Sequence, residues 1–131
     1  MKLLLDTHIW LWWNANPTKL STSILAQISD SDNEVYFSAA SVWEMAIKAR
    51  IGKLPLSDSV ENYVATRLKR DRFRELPITH VHAASVENLP LLHRDPFDRL
   101  LIVQSRSEGM RLITGDDEVL AYGGLIVDGR R

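Results

Sequence analysis

Four acidic residues stand where the neighbouring sequence gives a carboxylate little reason to be. Asp6 interrupts "KLLLDTHIWLWW", Glu44 lies within "SVWEMAI", Asp98 precedes the apolar run "LLIV", and Asp116 follows "RLITG". A carboxylate that leaves water without a partner costs several kcal/mol. Each of the four has a local explanation. Asp6 can cap a helix that begins at Thr7. Ser41 and Glu44 fit a capping box, with Lys48 one turn further on as an ion-pair partner. Asp95 and Asp98 suit a capping arrangement around Pro96, and Asp116 and Asp117 suit a turn after Gly115.

Together the four acids point further. Carboxylates brought within about 4 Å repel by about 4 kcal/mol per pair at an effective dielectric of about 20. Caps do not cancel that repulsion, whereas a divalent cation does. An all-oxygen ligand set with retained waters suits Mg²⁺ or Mn²⁺. Such an ion, with open positions, serves phosphoryl chemistry by activating a water and offsetting charge on phosphate oxygens. Whether one ion or two are held stays open at this level.

The elements that must position these acids follow from pattern and punctuation. "KLLL" reads as a short buried strand. "THIWLWWN" reads as a helix stopped by "ANP", because a residue before proline disfavours helix. "STSILAQIS" is a helix, "EVYFS" a strand, and "ASVWEMAIKARIGKL" a helix closed by Gly52. "SDSVENYVATRLKRD" is a helix, "FRELPI" a strand and "THVHAASVENL" a helix. "DPFDRLLIVQSRSEG" starts a helix with Pro96 in its first turn and ends it near Gly109. "RLIT" and "LIV" are the last strands. Short apolar strands alternating with helices predict an α/β fold, a three-layer sandwich around a mostly parallel central sheet. In such folds ligands gather at the carboxyl ends of strands, where Asp6 and "TGDD" fall.

Bulk properties narrow the class. At 131 residues, with 45% hydrophobic and 25% charged residues, the chain is expected to be a single domain spanning 1–131. Zero cysteines exclude disulfides, thiolate metal sites and cysteine nucleophiles. No stretch has the length of a membrane span. The N-terminus lacks the order of a secretory leader, so a mature, cytoplasmic protein is expected. A net charge of −1 sets up no global basic field. Two local clusters are basic: Arg67, Lys69, Arg70, Arg72 and Arg74, then Lys48, Arg50 and Lys53. Each is either a solvated helix face or a nucleic-acid-facing one.

The segments "LLLDTHIWLWW", "SAASVWEMAIKARIGKL", "HRDPFDRLLIVQS" and "LITGDD" resemble, in order and spacing, the PIN-domain ribonucleases. More narrowly, they are similar to the VapC toxins of bacterial toxin–antitoxin pairs, over about Leu3 to Val127. The resemblance implies a PIN-like fold and a catalytic quartet of Asp6, Glu44, Asp98 and Asp116 that binds Mg²⁺ or Mn²⁺ and cleaves RNA. It assigns Asp95 to capping, prefers Asp116 over Asp117, and offers Thr114 as a binder of metal-coordinated water. It further implies an antitoxin partner and self-pairing into a homodimer. The alternative is a PIN-like RNA- or protein-binding module that does not cut. A phosphoacceptor signalling domain also gathers aspartates at strand ends. It needs an acidic pair after the first strand and a lysine near a late one, and neither is present.

Other residues carry weaker signals. His8, two positions after Asp6, either supports the site from behind the acids or serves the helix start. Arg99 either steers phosphate or pairs with an acid. His93 and Arg94 are placed to approach RNA phosphate. His80 and His82 diverge on a helix, which argues against a histidine metal site there. Ser38 and Ser41 read as helix-start residues. "IWLWW" makes its helix apolar around most of its circumference. Either that helix is unusually buried, or one face needs cover from a second chain.

Overall fold

The computed structural model describes residues 1–131. Five strands form one sheet: β1 (Lys2–Leu5), β2 (Glu34–Ser38), β3 (Arg74–Leu76), β4 (Arg111–Thr114) and β5 (Ile126–Asp128), in the order β3-β2-β1-β4-β5. Every pairing is parallel, so the expected mostly parallel sheet is parallel throughout. β1 lies at the centre because Leu3, Leu4 and Leu5 are apolar on both faces, and all three are fully buried. Each contributes about 1.5–3 kcal/mol by leaving water.

Alternation along the strands divides the core in two. Leu3, Leu5, Val35, Phe37 and Ile113 pack against α1 (Thr7–Ala15), α2 (Thr22–Ser29) and α4 (Val60–Asp71). Leu4, Leu76 and Leu112 pack against α6 (Pro96–Glu108) and α7 (Asp117–Leu120), with α5 (His80–Ser85) joined to α6 on that face. The helix α3 (Ala39–Arg50) contributes Met45 to the first cluster and Ala40 to the second. The chain builds outward from β1 through β2 to β3, then crosses to β4 and β5 on the other side. That reversal opens a crevice between the carboxyl ends of β1 and β4.

Helix ends follow the local chemistry. Ser21, Ser59 and Thr79 cap α2, α4 and α5 through their hydroxyls. Gly109, at φ +64°, closes α6 in the left-handed conformation that glycine adopts without strain. Three expectations change. The segment expected as one helix to Leu89 leaves α-geometry at Ser85 and continues as a 3₁₀ turn, Val86–Asn88. The short α7 has no sequence periodicity to announce it. The capping box at Ser41 and Glu44 does not form, because α3 begins three residues earlier, capped by the Ser38 hydroxyl on the Ala40 N–H. Ser41 therefore lies inside the helix, and its buried hydroxyl has no partner.

For the tryptophan-rich helix the first of the two alternatives holds. Ile9 and Trp10 are buried, Trp10 stacking on Phe37 at 4.3 Å. Trp13 packs against Phe73 and donates its indole N–H to Asp71 at 3.1 Å. Trp12 lies between Lys19 and the backbone at Gly115, where an added Cβ would approach the indole to 3.2 Å. The chain covers this helix itself, and no second copy is required for that. The large exposed apolar residues lie elsewhere, notably Trp43, Ile47 and Ile51, spaced four apart along and just past α3.

Candidate active site

Asp6 occupies the turn between β1 and α1. Its N–H completes the sheet ladder to Ile113 at 3.0 Å, and its Oδ1 accepts the His8 N–H at 3.3 Å, capping α1. The local explanation therefore holds for one oxygen. The other, Oδ2, accepts the Thr114 hydroxyl at 2.6 Å, from the end of the adjacent β4. Thr114 Oγ1 also accepts the Asp116 N–H at 3.1 Å. One buried hydroxyl thus ties the first acid to the turn carrying the fourth.

Asp98 stands in the first turn of α6. Asp95 caps that helix by accepting the Phe97 and Asp98 N–H groups, which bears out its assignment to capping. Asp98 Oδ2 meets His93 Nε2 at 2.7 Å. Glu44, on α3, is held by Lys48 Nζ at 3.0 Å, as the four-residue spacing suggested. Trp43 and Phe97, each one residue before an acid, meet edge to face at 5.0 Å and fix α3 against α6. Such a pair contributes about 0.5–1.5 kcal/mol beyond its buried area.

Asp6, Glu44 and Asp98 are only 5%, 7% and 9% exposed. Asp116 differs, with 40% of its side chain in solvent. It caps α7 through the Glu118 N–H at 2.8 Å and leaves Oδ2 facing His93 at 4.0 Å. Ligand atoms of His93, Asp98 and Asp116 lie within 4.8 Å of one another. Asp6 and Glu44 stand outside that trio but are joined to it by charge. Burial pushes the Asp98 carboxyl up to about 7, and the negative charge of Asp6 adds to the shift, against the opposing pull of His93. Burial likewise raises Asp6, with Glu44 adding to the shift, although the Thr114 hydrogen bond and His8 oppose it.

The supporting candidates separate. Thr114 is fully buried and central, as described. His8 is exposed and lines a shallow cleft with Asp6, Trp12 and Asp116. Asp117 turns to solvent and pairs with Arg130 at 2.7 Å, so it offers the site less than Asp116. Arg99 neither pairs with an acid nor stays free for phosphate, which corrects both expectations. It is buried, and its guanidinium donates to the carbonyls of Val86, Leu89, Pro90 and His93 and to the Tyr122 hydroxyl. Its role is to hold the 86–93 segment in place. Tyr122 assists: its oxygen accepts the Leu92 and His93 N–H groups and donates to the Pro90 carbonyl.

Sequence reasoning placed His93 toward RNA, and the structure turns it into the carboxylates, with Nδ1 2.5 Å from Glu118. Glu118 itself went unnoticed; the only signal was its place two residues after Asp116. The basic run from Arg67 to Arg74 lies at the amino edge of the sheet, away from the acids. Arg67 stacks over Tyr63, Arg70 pairs with Asp71, and Arg74 pairs with Glu34. His82 is buried against Glu108 and Gln104 and holds no metal position.

Comparisons with known proteins agree with this architecture. The family model of the PIN domain matches residues 3–125. Ribonuclease VapC22 of Mycobacterium tuberculosis is 32% identical over 121 residues, covering 92% of this chain and 91% of the relative. Among solved structures, VapBC2 from Rickettsia felis bound to a DNA fragment from its promoter superposes with a TM-score of 0.73, at 14% identity and full coverage of both chains. A toxin–antitoxin complex from Klebsiella pneumoniae gives 0.61, at 16% identity and 95% of each chain; these two likenesses speak to fold alone. By its sequence, its sheet and the order of its acids, the chain belongs to the PIN domain family and is of the VapC type.

Proposed function

We propose that this chain is one PIN-like domain acting as a metal-dependent endoribonuclease, the toxin of a type II toxin–antitoxin pair. The observation that carries the reading is the Asp6–Asp98 pair. Both carboxyls are buried and raised, Asp98 to about 7, at the carboxyl edge of the sheet beside Asp116. The donor set is hard and anionic and fits Mg²⁺ or Mn²⁺. Asp6, Asp98 and Asp116 would hold the ion, with Glu44 at the margin. Bound there, it supplies positive charge to offset that developing on phosphate oxygens and lowers the pKa of a coordinated water.

The chain's own residues do the positioning. The Thr114 hydroxyl fixes Asp6 Oδ2 and the turn at Asp116. Lys48 orients Glu44. Arg99 and Tyr122 hold the segment that carries His93 against Asp98. Lys48, beside Glu44, offers positive charge to an RNA backbone. The name of the Mycobacterium tuberculosis relative supports ribonuclease activity, and the two complexes support an antitoxin partner. No helix is long and apolar enough to cross a membrane. The exposed Trp43, Ile47 and Ile51 stripe offers apolar surface for the antitoxin or a second copy of the chain to cover.

The test is cleavage of labelled RNA by the purified chain. We expect cleavage with Mg²⁺ or Mn²⁺, none with EDTA, and none from folded Asp6→Asn or Asp98→Asn protein. Binding of RNA with no cleavage under any metal would favour the non-cutting module.

A further inference from the structure

His93 enters the carboxylate cluster with more constraint than an ion-pair partner needs. Its backbone N–H donates to Tyr122 Oη at 3.0 Å, and its carbonyl accepts from Arg99 Nη1 at 3.2 Å. On the ring, Nδ1 lies 2.5 Å from Glu118 Oε2. That leaves Nε2 facing Asp98 Oδ2 at 2.7 Å and Asp116 Oδ2 at 4.0 Å. The side chain is 13% exposed, and with both nitrogens engaged it presents no free N–H to a phosphate outside.

This is the arrangement of a histidine ligand. Metal-bound imidazoles characteristically donate the second ring N–H to a carboxylate, which fixes tautomer and orientation; Glu118 stands in that position. An octahedral ion with ligands at about 2.1 Å sets neighbouring ligand atoms about 3 Å apart. The spacings from Nε2 to the two aspartates bracket that value. We propose that His93 Nε2 is a direct ligand of the divalent ion beside Asp98 and Asp116, with Glu118 orienting the ring, and that this nitrogen makes the site prefer Mn²⁺ over Mg²⁺. Mg²⁺ is held by oxygen, whereas first-row transition ions gain from imidazole nitrogen. The proposal rests on the carboxylate cluster being the metal site proposed above.

The experiment titrates the full chain with Mn²⁺ and separately with Mg²⁺ by calorimetry, for the native protein, His93→Gln and Asp98→Asn. Pulsed EPR of the native protein with Mn²⁺ bound accompanies it. His93→Gln should weaken Mn²⁺ binding by about tenfold or more and Mg²⁺ binding by less than about threefold. The native Mn²⁺ spectrum should show ¹⁴N coupling from an imidazole, a readout that stands even if the variant folds poorly. Mn²⁺ binding that depends on Asp98 but shows no ¹⁴N coupling, or equal losses for both ions in His93→Gln, overturns the His93 assignment alone. Unchanged affinity for both ions in Asp98→Asn overturns the carboxylate site itself and the assignment with it.

Discussion

Asp71 and Asp98 are both aspartates drawn against distant parts of the fold, yet they end in opposite electrical states. Asp71 closes α4 and receives two bonds from the neighbouring Arg70, at 3.0 and 2.7 Å, and one from the Trp13 indole at 3.1 Å. The Arg70 hydrogen bonds, with help from Trp13, hold its carboxyl below the ordinary 3.8. Asp98 is buried beside Asp6 and pushed up to about 7. Near it stand Asp6, Asp95 and Asp116, with His93 hydrogen-bonded among them. At Asp71 the chain supplies the neutralising charge next door in sequence. At Asp98 folding assembles a surplus of negative charge and leaves most of it uncompensated. The first pattern is structural, and the second prepares a place for a cation.

Substitutions sharpen this contrast in descending order of effect. Asp98→Asn should lower RNA cleavage by at least about a hundredfold, as loss of a transition-state charge contact does. In EDTA above pH 7 the same change should raise unfolding free energy by about 2–4 kcal/mol, because the neutral amide removes a disfavoured buried charge. Asp71→Asn should do the reverse: cleavage unchanged and stability lowered by about 1 kcal/mol. Denaturant titration and a cleavage assay on the same samples check all of these. Arg99→Met strips the donors from four carbonyls and the Tyr122 hydroxyl. It should cost about 2–4 kcal/mol by the same titration and speed hydrogen exchange at the Leu92 and His93 amides.

Thr114→Val keeps the shape of the side chain but removes the bond to Asp6 and orphans the Asp116 N–H. About 1–2 kcal/mol of stability should go, with cleavage down about tenfold or more. Arg70→Gln, on the well-paired side, should shift stability by less than about 1 kcal/mol, since Arg70 is half in solvent. A large effect there would break the contrast.

Much of this was legible in the sequence because the signals are local and strong. "KLLL" reads as a buried strand, and Gly109 marks the end of its helix as capping chemistry requires. The four acids were legible as a set because each sits at a strand end or within an apolar helix turn, and the resemblance ordered them. The contacts that organise the site were not. Thr114 and Asp6 are 108 residues apart, and nothing in "LITG" announces that its hydroxyl serves the first strand. Arg99 read as steering phosphate or pairing with an acid because sequence shows its charge and hides the ring of carbonyls that consumes it. The tryptophans left two readings open for the converse reason. Periodicity counts apolar faces but does not show that Phe37, Phe73 and Gly115 come to meet them.

The central claim is that Asp98 and Asp6 carry a charge the fold alone does not neutralise, and pH tests it most directly. Asp98 titrates near 7 folded, against an ordinary 3.8 unfolded. Between those values the native state holds the extra proton, so stability should fall as pH rises through that window, and His93, also raised, carries the fall above it. Asp6, also raised, acts in the same direction. Thermal unfolding followed from pH 4 to pH 8 should therefore decline in EDTA and be restored by Mg²⁺ or Mn²⁺ chiefly at the high end, with Asp98→Asn making the decline in EDTA shallower. Superimposed curves with and without the ion, or a decline that survives Asp98→Asn together with Asp6→Asn, would contradict it.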